Sequence, residues 1–159
     1  MESKKLRVGW FTFTCCEDST IIFTELLNRH WQEWLPKIEF IHARVLQGRN
    51  RLEEMDVAFL EGAIASDTQA EKARLIRGLA KRVIAIGACA CTGNPSAQRN
   101  SFAAPTKAEI SALLARFGQA DRVRTLRDVI AVDDMVQGCP MVEQQFITVL
   151  NKYFKEFGV

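Results

Sequence analysis

The sequence has no surplus of charge, no long apolar run and no CxxC motif, and each absence removes a class of function. Twenty-one Lys and Arg against 19 Asp and Glu leave a formal net charge of +2. That is too little to draw a protein onto nucleic acid or an anionic membrane surface. The most apolar helical stretch, IIFTELLNRHWQEWL, is broken by Glu25, Asn28, Arg29, His30 and Glu33, so it cannot span a bilayer. The opening MESKKLRV is charged and has no apolar run behind it, unlike a secretory leader. The chain therefore reads as cytoplasmic. In that reducing compartment its five cysteines are thiols or metal ligands, not disulfides. Paired CxxC knuckles are the usual mark of structural zinc, and the chain has none.

What the sequence does have is alternation. Its 159 residues, 48% hydrophobic and 25% charged, suit one globular domain spanning residues 1–159, with no internal repeat or linker. Apolar runs predict strands at Leu6–Phe13, Ile38–Ala43, Asp56–Glu61, Arg82–Ala88 and Asp128–Val132. Amphipathic runs between and after them predict helices at Ser19–Leu35, Asp67–Lys81, Ala108–Phe117 and Met141–Phe157, with Ser19 as the first N-cap and Pro36 past that helix's end. Strand and helix in turn indicate an α/β fold, a doubly wound parallel sheet with helices on both faces. The near-uniformly apolar strands fit a sheet covered on both sides. Residues Cys89–Pro105 show no periodicity and read as a functional loop.

The cysteines fall in matching places. Cys15 and Cys16 follow the first predicted strand, Cys89 and Cys91 follow the fourth, and Cys139 lies between the fifth strand and the last helix. Working surfaces of such sheets lie outside the carboxyl ends of the strands, so three distant segments can bring thiols to one edge. Adjacent cysteines face one centre only where the chain curls, as at a strand-to-helix turn. Gly138 and Pro140 mark a second turn, and Pro140 suits the first turn of a helix. Four converging thiolates suit zinc or an iron–sulfur cluster. A buried cysteine can equally be a small hydrophobe, but all five here sit at strand ends or turns.

Other residues divide between function and packing. Glu17 and Asp18 either complement the first helix's dipole or lie close enough to a cluster to lower its potential. Glu61 ends a strand at the same edge, as a solvated acid or as a group orienting the surrounding loops. Arg99 and Asn100 read as partner contacts or surface-loop residues. His30 and His42 read as structural or exposed, and Trp10, Phe11 and Phe13 as core. A flavin site at the first loop would need glycine and free N–H groups; TFTCCEDST has no glycine, and its two acids would repel a phosphate. A thiol redox enzyme using Cys15–Cys16 or Cys89–Ala90–Cys91 lacks the CxxC arrangement.

The segments FTCCEDS, EGAI, GACACTG, PSAQRN and QGCP, in this order, resemble the small subunit of NiFe hydrogenases and its relative, the 20-kilodalton subunit of respiratory complex I. The resemblance covers nearly the whole chain. It implies a flavodoxin-like domain with one 4Fe–4S cluster, held by Cys15, Cys16, Cys89 in Gly-x-Cys-Ala and Cys139 in Gly-Cys-Pro, with Glu17 and Glu61 as supporting groups and Cys91 spare. It implies no complete catalytic site in this chain, a hydrogenase-type large subunit carrying a nickel–iron centre, and a further redox subunit with flavin or iron–sulfur. The implied role is an electron relay in a cytoplasmic complex or one peripheral to a membrane; the alternative is a complex I-like quinone or energy-converting complex. Hydrogenase small subunits usually begin their ligand set with CxxC, whereas Thr12 and Phe13 stand three residues before the tandem pair. The tandem pair looks more like complex I, and EGAI with GACACTGNPSAQRN more like soluble hydrogenases. The chain ends 20 residues after Cys139, which resembles a one-cluster form.

Overall fold

Alternate residues of β1 (Leu6–Thr12) point to opposite faces, and both faces are apolar. Leu6, Val8 and Trp10 join one hydrophobic cluster and Phe11 joins another. The same split divides β3 (Met55–Glu61), which sends Val57 and Phe59 one way and Ala58 and Leu60 the other. It also divides β4 (Ala80–Ile86), with Ile84 and Ile86 against Val83 and Ala85. Strands apolar on both sides need cover on both sides. In the computed structural model, which describes residues 4–159, that cover is complete over these central strands.

The sheet has five strands in the order β2-β1-β3-β4-β5, all parallel, with β2 at Ile38–Ala43 and β5 at Asp134–Val136. Helix α1 (Asp18–Trp34) and helix α5 (Glu143–Phe157) pack on one face through Phe23, Leu26, Trp34, Phe146, Leu150 and Tyr153. Helix α2 (Asp67–Leu79) covers the other through Ala70, Ala73 and Ile76. The faces differ in grain. Trp10 stacks on Phe23 at 4.3 Å, with Phe59 and Phe146 around them, whereas alanines let α2 approach closely. This is the doubly wound α/β architecture expected from the sequence. The strand order reverses at β1, where crevices open at the carboxyl ends.

Several boundaries move. The last strand is Asp134–Val136 and not Asp128–Val132. The apolar side chains of 126–130 are buried instead from a turn, with the Val129 and Ile130 amides donating to Leu126 O and Leu126 and Ile130 in the second cluster. Ser19 does not cap α1; Glu17 occupies that position with φ 64°. The 89–105 segment is not structureless, because α3 (Gly87–Thr92) and a 3₁₀ turn (Ser96–Ser101) run through it. Helix α4 starts at Ala104, earlier than expected, and runs to Arg116 without burying a residue. The last helix starts at Glu143, so Pro140 sits in the turn before it and not in its first turn.

Candidate metal centre

Three loops leave the carboxyl edge of the sheet, and backbone bonds tie them together. After β1, the Thr14 amide donates to Ala63 O and the Ala63 amide returns a bond to Thr14 O, at 3.0 and 2.9 Å. After β4, the Ala88 amide donates to Gly138 O at 2.7 Å. The third loop is pinned to α1, since the Met141 amide donates to Ser19 Oγ at 3.2 Å. Gly138 makes this turn possible. It holds φ +111°, where a Cβ would come within 2.5 Å of Pro140 O.

These ties bring Cys15, Cys16, Cys89 and Cys139 to the wall of one pocket, together with Glu61 and Ser19. The pocket is tight, about 10 Å³. Cys89 is buried, Cys15 half-buried, and Cys16 and Cys139 exposed. Ser96 reaches in from the 3₁₀ turn, with its hydroxyl 3.3 Å from Cys89 Sγ and 3.2 Å from Thr14 O. Cys91 is elsewhere. Its Sγ lies 3.7 Å from Ala85 O and 3.6 Å from Val136 O, packed against the second cluster, and burial pushes its thiol up to about 11.

Among the described residues no three His, Cys, Asp or Glu side chains converge as one metal ion requires. Four thiols from three loops around one pocket are the donor set that an iron–sulfur cluster uses, and equally one that zinc uses. Burial, then the Glu61 carboxylate, push the Cys15 thiol up to about 12, and a metal bound there would draw off its proton, as coordination does for a ligating thiol. The residues present therefore fit an iron–sulfur cluster.

Glu61 is not a solvated strand-end acid. It is 3% exposed and its carboxylate accepts from the Ser19 amide (3.0 Å), the Thr20 amide (3.1 Å) and Thr20 Oγ1 (2.6 Å). Burial raises its pKa in spite of these donors. It thus takes the two amides that a capping side chain would otherwise satisfy. Glu17 turns toward β1, where Thr12 Oγ1 donates to it at 2.9 Å. Arg99 and Asn100 hold loops. Arg99 Nη2 donates to Ala120 O at 2.6 Å, and Asn100 exchanges two 2.8 Å bonds with the Val123 backbone. Sequence reasoning missed Ser96 and the double duty of Ser19 and Thr20. The PSAQRN segment held the signal for Ser96; nothing local marked Thr20.

An α/β sheet of this order with cysteines on three carboxyl-edge loops defines a class of thiol-bearing, flavodoxin-like domains. The family model described as NADH ubiquinone oxidoreductase, 20 Kd subunit, matches residues 16–153, and the chain belongs to that family. Solved structures share the fold. A chain of an NAD+-reducing [NiFe]-hydrogenase in the H2-reduced state superposes with TM-score 0.76 at 22% identity, over 93% of this chain and 90% of that one. A chain of the reduced, active Ni-Fe-Se hydrogenase from Desulfomicrobium baculatum gives 0.64 at 16% identity, over 93% and 61%. A chain of the membrane-bound sulfane sulfur reductase, an archaeal respiratory membrane complex, gives 0.53 at 14%, over 93% and 69%. No curated protein sequence matches the chain. No helix among the described residues is long and apolar enough to cross a membrane.

Proposed function

We propose that this chain is the electron-relaying subunit of a hydrogenase-type oxidoreductase and holds one 4Fe–4S cluster through Cys15, Cys16, Cys89 and Cys139. The observation that carries the reading is the sorting of five cysteines. Four, from three distant loops, line one pocket, and the fifth is turned into the sheet. When bound, the cluster supplies one-electron transfer. The chain's own residues fix the ligand loops, keep Cys89 from water and set the local charge. Ser96 Oγ lies within reach of the Cys89 sulfur, and hydrogen bonds to sulfur are one means by which a protein tunes such a centre. The buried Glu61 carboxylate acts in the opposite sense, since a negative charge disfavours an added electron.

The partner in this reading is a large subunit with the nickel–iron centre, and a further flavin or iron–sulfur subunit takes the electrons. Exposed Ile21 and Val142 are chain neighbours of the pocket residues Ser19 and Pro140 and suit such an interface. A second reading, the cluster-carrying subunit of a complex I-like quinone or energy-converting complex, is favoured by the family match and the tandem Cys15–Cys16. Anaerobic purification with the neighbouring large subunit tests the assignment. Roughly four irons and four sulfides per chain are expected of a cubane, with brown colour that bleaches on reduction. A colourless protein with one zinc per chain would overturn it. Hydrogen turnover against quinone reduction by the same complex separates the two readings.

A further inference from the structure

Ser96 stands where two of the cysteine loops meet. Gly93 ends α3 with φ +84° and turns the chain back, and a Cβ there would lie 3.1 Å from Ala97 Cβ. The Ala97 amide donates to Gly93 O at 2.7 Å, and Ala97 packs against the group formed by Ala63, Ala65, Cys89 and Val123. Arg99 and Asn100 fasten the far end of the 3₁₀ turn to the backbone at Ala120 and Val123. Ser96 is thereby held half-buried over α3, with its Oγ 3.2 Å from Thr14 O and 3.3 Å from Cys89 Sγ. A serine hydroxyl has one hydrogen, so it serves one of these acceptors at a time. The two acceptors are unequal. Thr14 O already accepts from the Ala63 amide at 2.9 Å, so it stays satisfied when the hydroxyl turns away. Cys89 is buried, and among the described residues no other side chain is hydrogen-bonded to its sulfur.

We propose that Ser96 donates its hydrogen to Cys89 Sγ when that sulfur ligates the cluster, and so raises the reduction potential of the centre. The inference rests on the cluster assignment made above. A neutral thiol is a weak acceptor, so without metal the Thr14 carbonyl holds the hydroxyl. A ligating sulfur is a thiolate, and hydrogen bonds to ionised acceptors are roughly twice as strong as neutral ones. Ligation therefore turns the hydroxyl from Thr14 to Cys89. Reduction takes one electron from the partner subunit, which is oxidised, and adds one negative charge at the centre. No proton moves, because the hydroxyl keeps its hydrogen. The added charge strengthens the O–H···S bond, so Ser96 stabilises the reduced state more than the oxidised one. Its effect opposes that of the buried Glu61 carboxylate.

Redox titration of the anaerobically purified complex tests this, with the paramagnetic resonance of the reduced centre followed in wild type, Ser96→Ala and Ser96→Thr. Iron and sulfide per chain should be the same in all three, because no ligand is removed. Ser96→Ala should shift the midpoint to lower potential by about threefold or more in the reduction equilibrium, ~28 mV when one electron is taken at about 59 mV per tenfold. Ser96→Thr keeps the hydroxyl and should titrate with wild type. Three equal midpoints overturn the proposal, and so does a threonine variant that shifts as far as the alanine one. Loss of iron from Ser96→Ala overturns it too, since Ser96 would then serve the ligand loops through its bond to Thr14. A wild-type complex without iron removes the cluster assignment and this inference with it, whereas wild-type iron with unshifted midpoints removes only the role of Ser96.

Discussion

The Glu61 carboxylate takes two α1 amides and the Thr20 hydroxyl, and that hydroxyl also accepts from Trp10 Nε1 at 2.8 Å. The chain runs from the aromatic core to the wall of the cysteine pocket with every member bonded. Thr20→Val keeps the shape, strands Trp10 Nε1 and leaves the Glu61 carboxylate with only its two amide donors. A loss of about 1–3 kcal/mol is expected, the cost of buried polar groups left unsatisfied, read from urea unfolding of the full chain by tryptophan fluorescence. An unchanged midpoint would show that water replaces the hydroxyl. Cys91→Ser sorts the thiols, because Cys91 lies against two carbonyls and the second cluster and does not line the pocket. The variant should keep its iron and its reduced-state paramagnetic resonance spectrum, while Cys89→Ser loses or alters both; the reverse pattern would exchange the two assignments. That cysteines gather at this edge was legible in the sequence, because all five follow predicted strands; only the resemblance, through Gly-x-Cys-Ala, set Cys89 apart from Cys91. Thr20 was not legible, since a threonine after a strand end looks the same whether it faces water or a buried acid 41 residues away.

At the scale of elements, apolar runs marked the central strands and gave β2 its limits. They misplaced β5. That strand has only three residues and begins with an acid, and its neighbour Asp133 serves the sheet edge by accepting from the Val83 amide at 2.7 Å. Hydropathy therefore pointed to the more apolar turn just before it. The junction after β3 depends on Gly62, whose φ is +96° and whose Cβ would stand 2.9 Å from Phe13 C and Thr14 N. Both contacts are backbone, so neither can swing aside. Gly62→Ala should cost on the order of 1–3 kcal/mol in strain and disturb the bonded pair Thr14–Ala63, which positions Cys15. Lower iron occupancy should accompany the lower unfolding midpoint, and full occupancy would separate the turn from the ligand loop. Helix α4 is the opposite case. With no buried residue, and with Leu113 and nearby Phe117 exposed, it has little packing to hold it beyond its own backbone bonds. Its amides should exchange far faster than those of β3 in the isolated chain, and equal protection would contradict the account.

Across the whole molecule, acid should act first where the sheet edge is fastened by charge. Asp133, just before β5, fastens two elements: it accepts from the Val83 amide in β4, pairs with Arg77 of α2 at 2.7 Å, and lies 3.6 Å from Arg82, also in β4. Burial pushes its pKa up, but the Val83 bond and the two guanidiniums outweigh this, and the net shift is below the ordinary carboxylate range. The sign follows from linkage. A carboxyl with a lower pKa when folded binds fewer protons folded than unfolded, so its contribution is complete above the unfolded pKa and drains away as pH falls toward the folded one. Asp133 is partly exposed, which makes the effect modest. Asp133→Asn should therefore be less stable than wild type near neutrality, and the gap should narrow as pH drops through the carboxylate range. Urea midpoints of both proteins measured from neutral to acid pH decide this. A gap that stays constant would mean that Asp133 acts as a neutral hydrogen-bond acceptor, leaving the hold of β5 on β4 to their backbone ladder and to the packing of α5.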